Sequence, residues 1–427
     1  MAQTEAQVVG AELEKTKTKV PVLFDRDAYF YGNIEKRPVD KVSARDMRVP
    51  LELRPGGRFG YFDPAGGDLG RGDGPTFDKA TVSTVHLKFA VEWQKKAQWA
   101  TDDTRKSVVN SFRHLLAKSM GEFRRQLDSQ LMTAGDGVVA TVTSVATSGG
   151  KDTITCTTDG YRIRLLRFGQ YVSVYDSTIA AARAITPVSP GDSEGTALRI
   201  DLIDMSNHKF RVSGTYTSIT AGDKVVVAGL SGANPVGLLG VKYHHSDAST
   251  GTWLGFARDV TPEIRANRVN ANSGPLKLTY ARLLVNKIRD RVGLENGVKM
   301  QAWTHPAQVQ GLEELGQSVQ VINRTTEKSP NLDLYFSVNS IAGTPIKESN
   351  SWDRTRIDWV VNETWGRAEM NAPGYYEEDG VKLFPVRGAS GGVAAASLFY
   401  IVVSFNTFVD NPAICGYIDS LEVPSGY

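Results

Sequence analysis

The sequence predicts an α+β fold made of a long helix on a β platform, with an extended hairpin on one side and a separate β unit inserted after the helix. Three observations predict it. Between Thr101 and Gly137, Val108, Phe112, Leu116, Met120, Phe123, Leu127 and Leu131 recur at steps of three and four, so one stripe of a single helix holds nearly all its large apolar groups. Just before it, Val85, Leu87, Phe89, Val91 and Trp93 alternate with polar or small residues, the period of a strand with one buried face. Just after it, the chain breaks into short β-rich runs separated by Gly, Asp and Pro turn signals.

Residues 1–44 mix charge with scattered aromatics (Phe24, Tyr29, Phe30, Tyr31) and show no sustained period. Such an arm has too few apolar residues for a core of its own and needs another surface to order it. Val49–Leu53 reads as a strand, and Ala80–Trp93 as a second, longer one. Between them lies RPGGRFGYFDPAGGDLGRGDGPTFD, a loop long enough to suggest function or a projecting hairpin. Its glycines lack the GxxxxGK[ST] pattern, and no helix begins directly after them, so phosphate cradling is disfavoured.

Thr101, Asp102 and Asp103 provide a helix cap and first-turn negative charge, and Gly135 can take the left-handed conformation that ends a helix. From Asp102 to Thr133 the helix would have 32 residues, about 48 Å at ~1.5 Å per residue. The β-rich section follows, with strands expected at Val138–Val145, Thr153–Thr157, Tyr161–Phe168, Tyr171–Tyr175, Leu198–Ile203, Lys209–Ser213 and Lys224–Ala228. Asp159-Gly160 supplies a two-residue hairpin turn between the second and third. These runs predict a small inserted β-barrel or sandwich.

Val241–Pro275 reads as irregular and polar. Tyr280, Leu284, Ile288 and Val292 mark a second amphipathic helix ending at Gly293. Met300–Trp303 is a short strand, and Pro306 opens a helix carrying Val309, Leu312 and Leu315. Strand-like pieces near Tyr335–Val338 and Arg356–Val361 flank the turn AGTPIKES. Ser397–Phe408 and Ile414–Leu421 resemble a central and an edge strand of one sheet.

Composition narrows the function classes. At 427 residues with 41% hydrophobic content the chain can build more than one core. Forty-nine basic residues against 47 acidic ones, a net charge of +2, exclude a strongly basic nucleic-acid coat. Cys156 and Cys415 could form at most one bridge, so there is no disulfide framework, and a reducing compartment is expected. The amino terminus lacks a signal-peptide pattern, and the longest apolar run, near Val393–Phe405, is too short to span a membrane.

Candidate chemistry is sparse. Gly388–Gly392 matches G-x-S-x-G with Ser390 as nucleophile, but every His precedes it, whereas that fold places its His afterwards. His244, His245 and Asp247 are the only close cluster of metal-ligand types, and adjacent histidines in an extended loop would point to opposite sides. No catalytic, cofactor or metal residue is therefore assigned. The tryptophans read as packing anchors rather than base-stacking platforms, since no basic stripe interleaves them. Arg105, Lys106, Arg113, Lys118, Arg124 and Arg125 make the polar side of the long helix basic, a pattern that fits a solvated face or intersubunit ion pairs as well as a polyanion contact.

The order of these parts resembles the major capsid proteins of tailed bacteriophages, whose fold also occurs in herpesvirus capsids and encapsulins. AVEWQKKAQWATDD leading into the helix, LMTAGDG at its end, WTHPAQVQGLEEL and SIAGTPIKES carry the resemblance. It implies an N-terminal arm at 1–44, an extended loop at 45–93 reaching over a neighbour, and a peripheral domain at 94–136 and 241–296. It also implies an axial domain at 297–395 and C-terminal strands at 396–427 returning to the peripheral sheet. The β unit at 137–240 departs from the minimal family fold. The resemblance further implies hexamers and pentamers in an icosahedral shell, in the virion and assembled in the host cytoplasm, enclosing double-stranded DNA without sequence specificity. Scaffolding, portal or decoration proteins are further candidate partners; no cofactor and no membrane are implied. Candidate intersubunit contacts are Arg58, Phe62, Arg71, Asp73 and Lys79 in the loop and Phe24 and Tyr29 in the arm, with Lys79 the one loop candidate for the Lys–Asn crosslink of some relatives. The alternatives are an encapsulin-like nanocompartment, a phage tail or spike protein, and a hydrolase using Ser390.

Overall fold

A computed structural model describes residues 30–37, 40–41, 46–61, 71–94, 111–157, 163–230, 236–293, 300–323, 340–387 and 393–424. The first segment carries β1 (Glu35–Lys36), followed by β2 (Asp40–Lys41), β3 (Asp46–Arg54), β4 (Thr76–Ser83) and β5 (Val85–Gln94). The expected single strand Ala80–Trp93 is thus two. β4 pairs with β3 along the hairpin, and the chain breaks at Thr84 so that β5 can join a different sheet.

The long helix is α1 (Ser111–Gln130), 20 residues, about 30 Å at ~1.5 Å each. Residues 101–110, with the expected cap and Val108, lie outside the described residues, as do the side chains of Phe112 and Leu116. The helix ends three residues before the expected Thr133. There Met132 N and Thr133 N bond the carbonyls of Ser129 and Gln130, Thr133 Oγ1 bonds Gln130 O as well, and Gly135 takes φ +91°. Three-residue spacing tightens the last turn into a stop.

Across α1 lies the platform. β22 (Trp365–Tyr375) and β23 (Phe384–Arg387) share one edge of β24 (Val393–Val409), and β5 takes the other, antiparallel from Val85 to Gln94. β1 adds in parallel to the outer edge of β22. Phe399, Ile401, Val403 and Phe405 alternate along β24 and are buried together with Met120, Phe123 and Leu127 of α1 and with Leu131 just past its end. The two periods, 2 in the strand and 3.6 in the helix, bring these faces together.

The arm is anchored in the same core. Phe30 meets Trp303, Trp352 and Trp365 edge-on at centroid distances of 5.3, 5.4 and 5.2 Å. Tyr31 packs on Phe405 at 5.5 Å, under the Arg367 guanidinium. Phe30→Ala is expected to cost about 3–5 kcal/mol by emptying this cage; denaturant unfolding of the subunit measures it, and a loss below ~1 kcal/mol would mean the cage does not hold the arm.

The inserted unit is a closed barrel. β6 (Val138–Ser148), β7 (Lys151–Cys156), β8 (Tyr171–Tyr175), β11 (Ala197–Asp204), β12 (Lys209–Val212) and β14 (Lys224–Val227) pair in the ring β11–β12–β7–β6–β14–β8 and back to β11. Beside the ring, β9 (Ile185–Pro187) pairs with β13 (Gly214–Tyr216), and β10 (Ser193–Glu194) with β11. Closure removes free edges. The Asp159-Gly160 turn lies outside the described residues, and the expected strand Tyr161–Phe168 begins its described part as a turn at 163–165; Ile163, Leu165 and the following Leu166 are buried in the barrel.

Entrance to and exit from the barrel meet at the Ala134↔Leu239 bridge. Gly237 N donates to Gly135 O, and Val241 N to Leu131 O, both at 2.7 Å. A Cβ on Gly240 would fall 2.3 Å from Leu131 O, so only glycine lets the return strand close on the end of α1. The barrel is also pinned to the body: Arg167 Nε reaches Glu122 of α1 at 3.0 Å, Arg164 donates to the carbonyls of Asn350 and Trp352, and Lys88 pairs with Glu194.

The section expected to be irregular, Val241–Pro275, contains α2 (Val241–His244), the hairpin β15 (Thr252–Trp253) and β16 (Phe256–Ala257), and all of β17 (Asn267–Gly274). Its elements are too short for a visible period, yet Trp253, Leu254, Phe256 and Ile264 are buried. α3 (Leu278–Val292), β18 (Met300–Thr304) and α4 (Pro306–Asn323) follow, then β19 (Ser340–Ile341), β20 (Thr344–Glu348), β21 (Ile357–Val361) and β25 (Gly416–Leu421). Residues 335–338 lie outside the described residues, and Leu315, expected to be buried on α4, is exposed. The second sheet runs β17–β25–β21–β18–β20–β19. β25 is therefore an interior strand of that sheet, between β17 and β21, and not an edge strand beside β24.

Candidate intersubunit surface

The β3/β4 hairpin is a cantilever. At its base Met47, Val49, Ala80 and Val82 are buried against Trp253, Leu254, Phe256 and Ile264. Thr81 N donates to Leu254 O at 3.0 Å, and Asn406 Nδ2 to Ser83 O at 2.7 Å. Beyond Pro50 and Lys79, which pair with one another, burial declines through half-buried Leu51 and Leu53 to full exposure. The nine residues of β3 alone reach about 30 Å at ~3.3 Å per residue.

Beyond the paired strands the finger continues as two close segments without regular pairing. Gly57 N donates to Asp73 O at 2.8 Å, and a Cβ on Gly56 would lie 2.4 Å from Pro75 N. Glycine lets the two sides touch. This narrow stem carries Phe59 and Tyr61, 95% and 101% exposed, with Phe77 67% exposed nearby on β4. Among the described residues Phe59 and Tyr61 meet only one another, edge-on at 6.2 Å. Large apolar rings held off the body make this a candidate contact surface.

Of the residues expected to make intersubunit contact, Arg58, Arg71, Asp73 and Lys79 are exposed on the finger; Phe62, Phe24 and Tyr29 lie outside the described residues. Phe30 and Tyr31, read with the arm as needing some other surface, find it on this chain's own core. Sequence reasoning missed Phe59, Tyr61 and Phe77 as the leading candidates. The available signal was aromatics spaced by glycine in RFGYF, where no neighbouring period offered them a core.

The histidine cluster belongs to the interior, at the junction of the two sheets. Trp253 Nε1 donates to His244 Nδ1 at 3.1 Å, so neutral His244 carries its proton on Nε2, donating to Thr407 Oγ1 at 3.2 Å, and Thr407 in turn donates to Leu239 O. Burial and the neighbouring His245 push His244 down to about 3. Burial also opposes charge on His245, but the Cys415 sulfur and the Asp358 carboxylate lift it to about 9. Asp358 takes His245 Nδ1 at 3.0 Å, Arg356 Nη2 at 2.7 Å and Trp352 Nε1 at 2.9 Å. Asp247 points elsewhere, accepting from Tyr417 OH at 2.7 Å. The expectation of two side chains pointing apart from an extended loop thus gives way to a helical turn with both rings buried. Among the described residues no set of three or more His, Cys, Asp or Glu is placed to hold a metal. Cys156 and Cys415 are buried free thiols, and Ser390 lies outside the described residues.

No family model and no curated protein matches the sequence. Solved structures do. The capsid asymmetric unit of cyanophage A-1(L) is similar at a TM-score of 0.52 and 12% identity, over 92% of each chain. The capsid of a native GTA particle matches at 0.42 and 12%, over 92% of this chain and 89% of that one. The holo-SrpI encapsulin complex of Synechococcus elongatus matches at 0.42 and 9%, over 93% and 89%. The A-1(L) likeness, over nearly the full length of both chains, shows that this chain has the fold of a tailed-phage major capsid protein.

Proposed function

We propose that this chain is a major capsid protein, a structural rather than enzymatic molecule that assembles with copies of itself into the hexamers and pentamers of an icosahedral virion shell. The observation that carries the reading is the finger, whose exposed rings have no partner but each other among the described residues, in a chain with a capsid fold. Repeated modest contacts of this kind close a shell, since each further contact of a subunit forms at high effective concentration.

Double-stranded DNA is the proposed content. A net charge of +2 suits a wall that confines a polyanion without gripping it, because tight phosphate binding would oppose release. Assembly is assigned to the host cytoplasm, with scaffolding, portal and decoration proteins joining as separate chains. No helix among the described residues is long and apolar enough to cross a membrane.

Electron microscopy of particles purified from the native source tests the proposal. Angular DNA-filled shells are expected; protein-filled shells would move the chain to the nanocompartments, and tubes or fibres would overturn the shell reading.

A further inference from the structure

One buried carboxyl in the core has no counter-ion among the described residues. Asp128 of α1 is 1% exposed. Its Oδ1 accepts Phe30 N at 3.1 Å and Tyr31 N at 3.3 Å, the two backbone bonds that tie the N-terminal segment to the helix. Its Oδ2 is buried and has no hydrogen-bond partner among the described residues. Around it stand the aromatic cage of Phe30 and the apolar face of α1, a setting that disfavours a full charge far more than an unpaired hydroxyl.

The charged groups of the surrounding elements are engaged elsewhere. On β22, Arg367 and Glu369 pair at 3.0 Å; Glu369 also takes Lys36 of the segment at 2.9 Å and Tyr31 OH at 3.4 Å. Beyond Trp303, His305 stands beside Arg164 of the barrel. On α1 itself, Glu122 serves Arg167 and Arg125, and Arg124 lies one turn before Asp128. None of these offsets the Asp128 charge, which is governed by burial and by the two backbone N–H groups.

We propose that Asp128 is a proton-operated latch on the N-terminal segment Phe30–Lys36: the protonated carboxyl holds the segment in its cage, and ionisation eases it. Opening exposes the carboxylate to water, so the open state favours charge and the docked state favours the proton. Burial, opposed in part by the two N–H groups, raises the docked carboxyl from 3.8 to about 6. The docked group is mostly protonated at pH 5 and mostly ionised at pH 7. The docking constant therefore falls about tenfold between those values. The latch concerns the chain's own fold and holds whatever the assembled protein encloses.

Amide hydrogen exchange on the full-length protein tests it, with rates divided by intrinsic rates to remove the ordinary pH dependence. Protection at Phe30 and Tyr31 is expected to drop about tenfold from pH 5 to pH 7, while Ile401 in β24 keeps its protection. Asp128→Asn keeps the accepting oxygen and removes the titration, so its protection should not change with pH. Equal wild-type protection at both pH values, or the same drop in Asp128→Asn, would overturn the latch; the wild-type comparison alone decides if the variant does not fold.

Discussion

Replacing Phe59 and Tyr61 together by serine is expected to leave the subunit folded and to abolish shell formation at concentrations where the parent chain assembles. Both rings are exposed and, among the described residues, touch only each other, so their loss should change subunit stability by less than about 0.5 kcal/mol, as surface substitutions usually do. In the assembly each ring would act as an aromatic anchor. Losing about 2 kcal/mol per anchor weakens one contact roughly thirtyfold, and the penalty recurs at every copy in the shell. Light scattering follows assembly and thermal unfolding follows the subunit. A variant that assembles at the parent's concentration would show that the finger does not grip a neighbour. A variant that unfolds early would show that the rings serve the chain's own core.

What the sequence made legible was what periodicity encodes. The stripe Met120, Phe123, Leu127 and Leu131 and the alternation Val91, Trp93 meet in one core because each is long enough to express its period. The illegible parts are those whose partners are distant. Nothing local distinguishes Phe30 from Tyr29, yet Phe30 fills a cage built by Trp303, Trp352 and Trp365 from other elements. β25 was misplaced for the same reason: six residues of mixed pattern fit an edge as well as the interior position beside β17 and β21 that pairing gives them. His244 and His245 were the sharpest case. Adjacency suggests two side chains pointing apart from an extended loop, whereas the fold buries both and gives one a neutral hydrogen-bond chain and the other an ion pair. On the finger, glycine spacing made the loop visible, but which of its aromatics lack a core became clear only when the body's surface was known.

Asp358→Asn is expected to destabilise the subunit by about 3–5 kcal/mol, because it strands two buried cations that now share one carboxylate. Arg356 and His245 both bond Asp358, and Arg356 also stacks on Tyr417 at 3.9 Å, so the knot ties α2, β21 and β25. The pH dependence separates this knot from simple packing loss. Burial works against the Asp358 charge, but Arg356 and His245 hold its carboxyl down at about 2, below its ordinary 3.8. Its stabilisation is therefore complete above 3.8 and is lost as pH falls toward 2. His245 runs the other way: raised from 6.5 to about 9, its contribution is complete below 6.5 and is lost as pH rises through 9. The stability difference between the parent and Asp358→Asn should thus be widest between about pH 4 and 6.5 and narrow on both sides, leaving at high pH only the Arg356 pair. Chemical unfolding of the dissociated subunit at half-unit pH steps measures this difference directly. A difference that stays flat from pH 5 to pH 10 would mean that His245 carries no charge in the folded chain, and that Arg356 is the cation that Asp358 pairs with at the junction of the two sheets.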